Sequence, residues 1–275
     1  IRAYNNAWPT EAENPLDGGN VPNTNAASTK YDAVIDCQDE LAYILETTSY
    51  NQLDKTYRIS NDFTLSGWDK GKVNTVFNNT GGGVLFKLDG NNKTITTDGM
   101  LFSNIMNDIW DLTIALSTNL IVTSTDGNDA IAALGFSVSG FRNETTNELE
   151  TTPTLSNIQV KGGNYRMQAA TVGGIVVWAF NGATIENCKC KAILQVWMDG
   201  ELTQGVRKYS GGIVACAVDA TITRCQFYTK DINTLFRNKA ATYNGEVVKE
   251  TTASTGFYYG GILGGTTTWE NVATA

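Results

Sequence analysis

A six-residue pattern that recurs from residue 109 onward constrains the fold of this chain more than any other feature. Its copies begin at Ile109, Leu155, Ile185, Ile222 and Trp269. The first position is always large and apolar, and the fourth is Leu, Ile, Cys, Cys or Val. A single copy is too small to bury its own apolar side, so copies of this kind stack on one another.

Within each copy, apolar residues alternate with polar ones, which indicates β-strands rather than helices. A second pattern, Gly-Gly followed by apolar residues, precedes three of the copies and begins at Gly173, Gly211 and Gly260. Two strands per repeat, separated by turns and stacked on their neighbours, predict an all-β right-handed parallel β-helix, a solenoid. Residues 37–46 carry an apolar stripe at helical spacing and predict a short N-terminal capping helix after Asp36.

The third position of the pattern is polar and predicts a bend at which stacked side chains bond one another. Its occupants are Asp111, Asn157, Asn187, Arg224 and Asn271. We expect Asp111 and the three asparagines to form a structural ladder, with Cys188 and Cys225 beside it at the fourth position. The five cysteines are interpreted as small core residues, and a disulfide between neighbouring coils remains the alternative.

The domain organisation follows from composition along the chain. Residues 1–30 are rich in Asn, Ala and Pro, contain the turn-like run Asp17-Gly18-Gly19-Asn20, and predict an extended arm or linker. Residues 31–275 are expected to form the β-helix domain. No apolar run of about 18 residues occurs, so we expect no transmembrane segment.

Charge and composition exclude several classes of function. The chain has 28 Asp+Glu against 20 Lys+Arg, a net charge of −8, and no histidine. An acidic balance argues against nucleic acid and anionic membranes as partners. Without histidine, a Ser-His-Asp triad or a histidine-based zinc site is excluded. We expect no metal and no cofactor.

Three stretches resemble the GLUG-motif, adhesin-like β-helix proteins of Bacteroidota, and together they span roughly residues 35–275. They are residues 39–42 with Thr56–Leu65, then Phe86–Ile95, then Gly173–Val176 with Ala183–Cys188. The family's usual glycine after its Gly-Gly pattern is replaced by Val177 and Ala215. The resemblance implies an extracellular or outer-membrane surface protein that is secreted or lipid-anchored, with any anchor outside these residues. It implies no catalytic residues.

The expected function is that of a non-enzymatic adhesin-like binding protein whose partner is a glycan or a host surface protein. Aromatic rings suited to stacking on sugars are candidates for this role, although packing at coil edges would also explain them. One alternative is a polysaccharide lyase or glycoside hydrolase, which would need paired outward carboxylates. Glu186 and Glu270 occupy equivalent positions but lie two coils apart. Another alternative is a structural spacer in a larger surface protein. The candidate glycan contacts are Trp178, Trp197, Tyr209, Tyr258 and Tyr259.

Overall fold

A computed structural model describes most of the chain after residue 30. The described residues are 31–47, 52–69, 71, 83–122, 129–142, 146, 148–196, 207–229, 242–243, 246–247 and 256–266. The predicted arm, Trp197 and Asn271 lie outside these ranges. In the described part, no helix is long and apolar enough to cross a bilayer.

The described residues are mostly β, with one helix. In chain order the elements are β1 (Ala33–Ile35), α1 (Gln38–Glu46), β2 (Thr56–Ile59), β3 (Phe63–Leu65), β4 (Lys87–Thr97), β5 (Phe102–Ile105), β6 (Ile109–Leu116), β7 (Leu120–Ile121), β8 (Ala130–Ile131), β9 (Gly135–Ser139), β10 (Thr154–Ser156), β11 (Gln159–Ala169), β12 (Thr171–Gly173), β13 (Val176–Phe180), β14 (Thr184–Glu186), β15 (Lys189–Val196), β16 (Arg207–Gly211), β17 (Val214–Val218), β18 (Thr221–Thr223), β19 (Gln226–Tyr228), β20 (Thr242–Tyr243), β21 (Glu246–Val247), β22 (Gly256–Gly260) and β23 (Leu263–Thr266).

Three parallel sheets contain nearly all of these strands, and neighbours within each sheet come from successive repeats. The largest follows the order β1-β2-β4-β6-β10-β14-β18, with β3, β7, β11, β15 and β19 joined to it. The second has the order β5-β9-β13-β17-β23 and the third β8-β12-β16-β22. Strands β20 and β21 form a separate antiparallel pair. The repeated order of parallel pairing is compatible with the predicted β-helix.

The core is built from equivalent residues stacked across the sheets. Ile109 pairs in register with Leu88 and Leu155, and Leu155 pairs with Ile185. All four side chains are 0% exposed. Each such side chain stabilises the fold by about 1.5–3 kcal/mol through the apolar area it buries. The residue at the first position of one repeat after another therefore contributes to stability.

The helix α1 buries the predicted stripe of Leu41, Ile44 and Leu45. Its N-cap is Cys37, one residue after the predicted Asp36, and the cap makes no side-chain hydrogen bond. Instead, the carboxylate of Glu40 reaches back and accepts the backbone N–H of Asp36 at 2.8 Å. Glu40, the third residue of the helix, therefore reaches back to a backbone donor just before the helix, in the manner of the acidic residue of a capping box.

The second glycine of the first two Gly-Gly pairs lies where repeats approach closely. A Cβ on Gly174 would lie 1.9 Å from the carbonyl oxygen of Gly212, and one on Gly212 would lie 2.0 Å from that of Gly261. A larger residue at Gly174 or Gly212 would overlap backbone, which explains the glycine in these two repeats, whereas a Cβ on Gly261 would meet nothing within 4 Å.

Candidate functional site

The outward side of the largest sheet carries two straight rows of side chains, which we call the polar wall. Strands β3, β4, β6, β11, β15 and β19 supply it, and their side chains alternate between core and outside. No Asp or Glu occupies any position of either row. The first row is Thr64, Thr96, Ala115, Lys161, Lys191 and Tyr228, and the second is Thr94, Thr113, Gln159, Lys189 and Gln226.

One end of the polar wall is basic. Lys161 on β11 lies directly opposite Lys191 on β15, and Lys189 is two residues from Lys191 on the same face. All three are exposed. Among the described residues, the ion pairs join Lys55 to Asp32, Arg58 to Asp89 and Arg224 to Glu186, and none involves these three lysines.

A bulge in β11 interrupts the sheet beside the lysines. The pairing between β11 and β15 shifts register between Lys161 and Arg166. Gly162 begins the bulge, where a Cβ would lie 2.9 Å from Cα of Ala192, and Gly163 follows with a φ of +61°. The bulge also contains Tyr165, which is 40% exposed. Bulges are concentrated at places where a sheet re-aims side chains toward a site.

The edge of the polar wall is formed by the bend that separates it from the neighbouring strands. Asp111, Asn157 and Asn187 all have left-handed φ values, of 54°, 56° and 53°. The side-chain amide of Asn157 donates to the carboxylate of Asp111 at 2.8 Å, and that of Asn187 donates to Asn157. Arg224 follows at the same position and pairs with Glu186. This chain of bonds holds the edge in a regular line.

Two of the sequence-predicted aromatic contacts are buried. Trp178 is 8% exposed and Tyr209 is 3% exposed. Their rings meet edge to face with centroids 5.9 Å apart, and Trp178 also stacks on Phe180 at 6.0 Å. Little ring surface remains for a sugar, so the geometry favours the packing alternative for both residues.

The remaining predicted aromatic contacts lie outside what the structure describes. Trp197 falls between described ranges. The backbones of Tyr258 and Tyr259 pair with those of Tyr209 and Ser210, but their side chains are not among those described. The glycan role of these three residues stays a prediction.

The lysines and the exposed tyrosines of this wall were not predicted from the sequence. Tyr228 is 54% exposed and continues the row of Lys161 and Lys191. A signal was present, since the fifth and seventh positions from the start of each copy are Gln159 and Lys161 in one repeat and Lys189 and Lys191 in the next. Aligning the copies by position would have placed these residues side by side.

A cluster of acidic groups lies at the start of α1, a helix that contacts β3 at the end of the polar wall opposite the lysines. Ligand atoms of Asp36, Cys37 and Glu40 lie within 4.8 Å of one another, a spacing that could hold a metal ion. Oε1 of Glu40 and Oδ1 of Asp36 are buried without a hydrogen-bond partner. Burial raises the pKa of Glu40 to about 8 and that of Cys37 to about 12. The neighbouring carboxyl of Asp36 acts in the same direction, because it also favours the protonated form of Glu40.

The five cysteines are free thiols. The thiols of Cys188 and Cys225 each donate to backbone carbonyls, and the interaction between the two side chains raises the pKa of Cys188 and lowers that of Cys225 to about 7. Burial raises the pKa of Cys190 and takes that of Cys216 to about 12. Cys225 is therefore the thiol with the greatest thiolate fraction at neutral pH among these four.

The fold and the polar wall together define a repetitive protein of parallel strands with an outward polar face, which is most exposed at its basic end and buried at Thr113. No family model matches the chain, and no curated protein matches its sequence. Among solved structures, the chain is similar to the crystal structure of a "putative immunoglobulin A1 protease" from Bacteroides ovatus. The identity is 14% and the TM-score 0.38, over 94% of this chain and 91% of that one. A likeness at this level shows no shared activity.

Proposed function

We propose that the chain is a right-handed parallel β-helix of the GLUG-motif, adhesin-like type that binds glycans at a bacterial cell surface without catalysing a reaction. The observation that carries the proposal is the polar wall. Its two rows run across successive strands and combine hydroxyl, amide and ammonium groups with the exposed ring of Tyr228.

The chemistry of this wall suits sugars. Thr, Gln and Lys side chains supply hydrogen-bond donors and acceptors for hydroxyl groups, and a tyrosine presents an apolar ring with a polar tip. The rows repeat about every 4.8 Å from strand to strand. A surface with a regular repeat can contact a polymer at several successive units. Strands also hold these groups more rigidly than loops would.

The alternative of a carbohydrate-active enzyme depends on paired outward carboxylates about 5–10 Å apart. The polar wall has none at its row positions. Glu186, the candidate acid beside it, is bound to Arg224 across the neighbouring repeat. Its predicted equivalent, Glu270, lies outside the described residues. The arrangement therefore supports binding rather than hydrolysis or elimination.

A glycan array probed with the full chain tests the proposal. We expect binding to at least one class of polysaccharide, with no release of reducing ends or unsaturated products. Tyr228→Ala should weaken that binding about tenfold, since stacking contributes on the order of 1 kcal/mol or more. Leu149→Ala is the matched control, because Leu149 is also exposed, at 37%, and lies off the wall.

Three outcomes would count against the proposal. A folded chain that binds no glycan would favour the structural spacer. Product release would favour the enzyme. Equal binding by the two variants would place the site elsewhere.

A further inference from the structure

The basic end of the polar wall is unusual for this chain. The protein as a whole has a net charge of −8, yet Lys161 and Lys191 lie directly opposite each other and Lys189 lies on the same face. Like charges directly opposite on adjacent strands destabilise the pair. This placement lowers the stability of the fold when no negative charge neutralises the lysines.

Within the described part of the two rows, no neighbouring residue neutralises these lysines. Along the two rows they are flanked by Ala115, Tyr228, Thr113 and Gln226, and Gln159 lies opposite Lys189. None of these side chains carries a negative charge.

A further cation follows the bulge. Arg166 resumes the pairing with β15 opposite Ile193. Its Nε atom is buried and has no hydrogen-bond partner. The face of β11 and β15 therefore carries four cationic side chains over two neighbouring strands.

Any ligand that covers this face must remove water from the ammonium groups. A neutral ligand would leave them desolvated and unpaired, which costs free energy, whereas an anionic ligand replaces the lost hydration with ion pairs. Cα atoms of Lys161 and Lys191 are about 4.8 Å apart across the strands, and those of Lys189 and Lys191 are about 6.6 Å apart along one strand. Anionic groups on successive sugars of a chain would each find a lysine within reach.

We infer that the glycan bound by the polar wall is anionic, a polysaccharide with carboxylate or sulfate groups, and that Lys161, Lys189 and Lys191 bind those groups. Tyr228, next to Lys191 in the same row, stacks on the adjoining sugar ring. This inference rests on the proposed glycan-binding function and names its ligand class. Long nucleic acids fit less well, because an overall acidic chain repels a dense polyanion and only a few phosphates would be neutralised.

The test uses the full chain and two pairs of polysaccharides that differ in charge alone. Polygalacturonate is compared with its methyl ester, and dextran sulfate with dextran, by affinity electrophoresis or calorimetry at low ionic strength. We expect at least one charged member to bind tenfold or more tightly than its neutral partner, and the affinity to fall as salt is raised. The two pairs distinguish carboxylate from sulfate recognition.

Single substitutions then locate the site. Lys191→Gln should weaken binding to the charged polymer severalfold, and the double variant Lys161→Gln/Lys191→Gln at least tenfold, with neutral polymers unaffected. Lys55→Gln is the control, since it removes the same charge from an exposed residue off the wall that pairs with Asp32. Circular dichroism checks that each variant is folded.

The outcomes of these experiments test the anionic ligand class separately from glycan binding itself. If charged and neutral polymers bind equally and the lysine variants change nothing, the ligand class is overturned while glycan binding stands. If no polysaccharide binds the folded chain, both proposals fail. If Lys55→Gln weakens binding as much as Lys191→Gln, or if duplex DNA binds more tightly than any glycan, the inference is overturned.

Discussion

The side-chain amide of Asn157 donates a hydrogen bond of 2.8 Å to the carboxylate of Asp111, which holds the same position one repeat earlier. Both residues have left-handed backbones, with φ of 56° and 54°. Asn and Asp adopt this conformation more readily than other residues with a side chain. The polar third position of the repeat therefore serves two purposes, since one residue type turns the chain and binds its counterpart in the next repeat.

Two substitutions of Asn157 separate these purposes. Asn157→Gly removes the side-chain bonds but tolerates the left-handed backbone, so we expect the free energy of unfolding to fall by about 1 kcal/mol. Asn157→Ala removes the same bonds and adds backbone strain, for a total of about 2 kcal/mol. Urea unfolding measures both. Equal stability of the two variants would show that the backbone conformation contributes nothing.

Much of the fold could be predicted because the repeat places equivalent residues in register. The inward positions of Ile109, Leu155 and Ile185 and the polar bend at Asn157 all follow from aligning the copies. The bulge between Lys161 and Arg166 could not be predicted this way, because it interrupts one strand only.

The candidate site was harder to predict because alternation alone does not decide whether an aromatic residue near a turn is buried. The rings of Trp178 and Tyr209 have the chemistry to stack on sugars, which is why both are predicted glycan contacts. In the structure, however, the two rings pack against each other. Lys191 and Tyr228 have the chemistry of a binding surface only as a set, and that set exists only once the strands are paired.

The close approach at Gly174 predicts a severe effect of adding one methyl group. In Gly174→Ala the new Cβ would lie 1.9 Å from the carbonyl oxygen of Gly212, and backbone must move. We expect a loss of about 3 kcal/mol in the free energy of unfolding. Gly163→Ala is the control, because Gly163 has a φ of +61° and nothing within 4 Å of the added atom. Its cost should be about 1 kcal/mol, from backbone strain alone. Similar losses in the two variants would argue against the close contact.

The buried carboxyl of Glu40 predicts that stability depends on pH. Its pKa is raised from 4.5 to about 8 by burial, so the folded chain keeps a proton that the unfolded chain releases. This contribution to stability is complete below pH 4.5 and is lost as the pH rises to about 8, by at most about 1.4 kcal/mol per pH unit. Glu40→Gln keeps the shape and cannot ionise, so unfolding curves should diverge as the pH rises, with the wild type falling. Parallel curves across this range would contradict the prediction.

The interaction between the thiols of Cys188 and Cys225 predicts selective reactivity. It lowers the pKa of Cys225 to about 7, and thiolates are the reactive form of cysteine. The rate of alkylation of Cys225 by iodoacetamide, followed by peptide mass spectrometry, should have a midpoint near that pH. In Cys188→Ala the neighbouring thiol is gone, and the midpoint should move toward the ordinary thiol value of about 8.5. Cys190→Ala is the control and should leave the midpoint unchanged.

The opposed lysines of the polar wall predict that stability and binding respond in opposite directions to one substitution. Lys191→Glu places a carboxylate opposite Lys161 and next to Lys189, which turns a repulsive cross-strand pair into an attractive one. We expect the free energy of unfolding to rise by about 0.5 kcal/mol and affinity for an anionic polysaccharide to be lost.

Urea unfolding at low and high salt tests whether the gain in stability is electrostatic, because an electrostatic gain should shrink as ions screen the charge pair. Lys191→Gln is the matched control, and its free energy of unfolding should rise less than that of Lys191→Glu. A loss of stability in Lys191→Glu would mean that the lysines are already neutralised in the folded chain, and it would remove the electrostatic reason for an anionic ligand at this face.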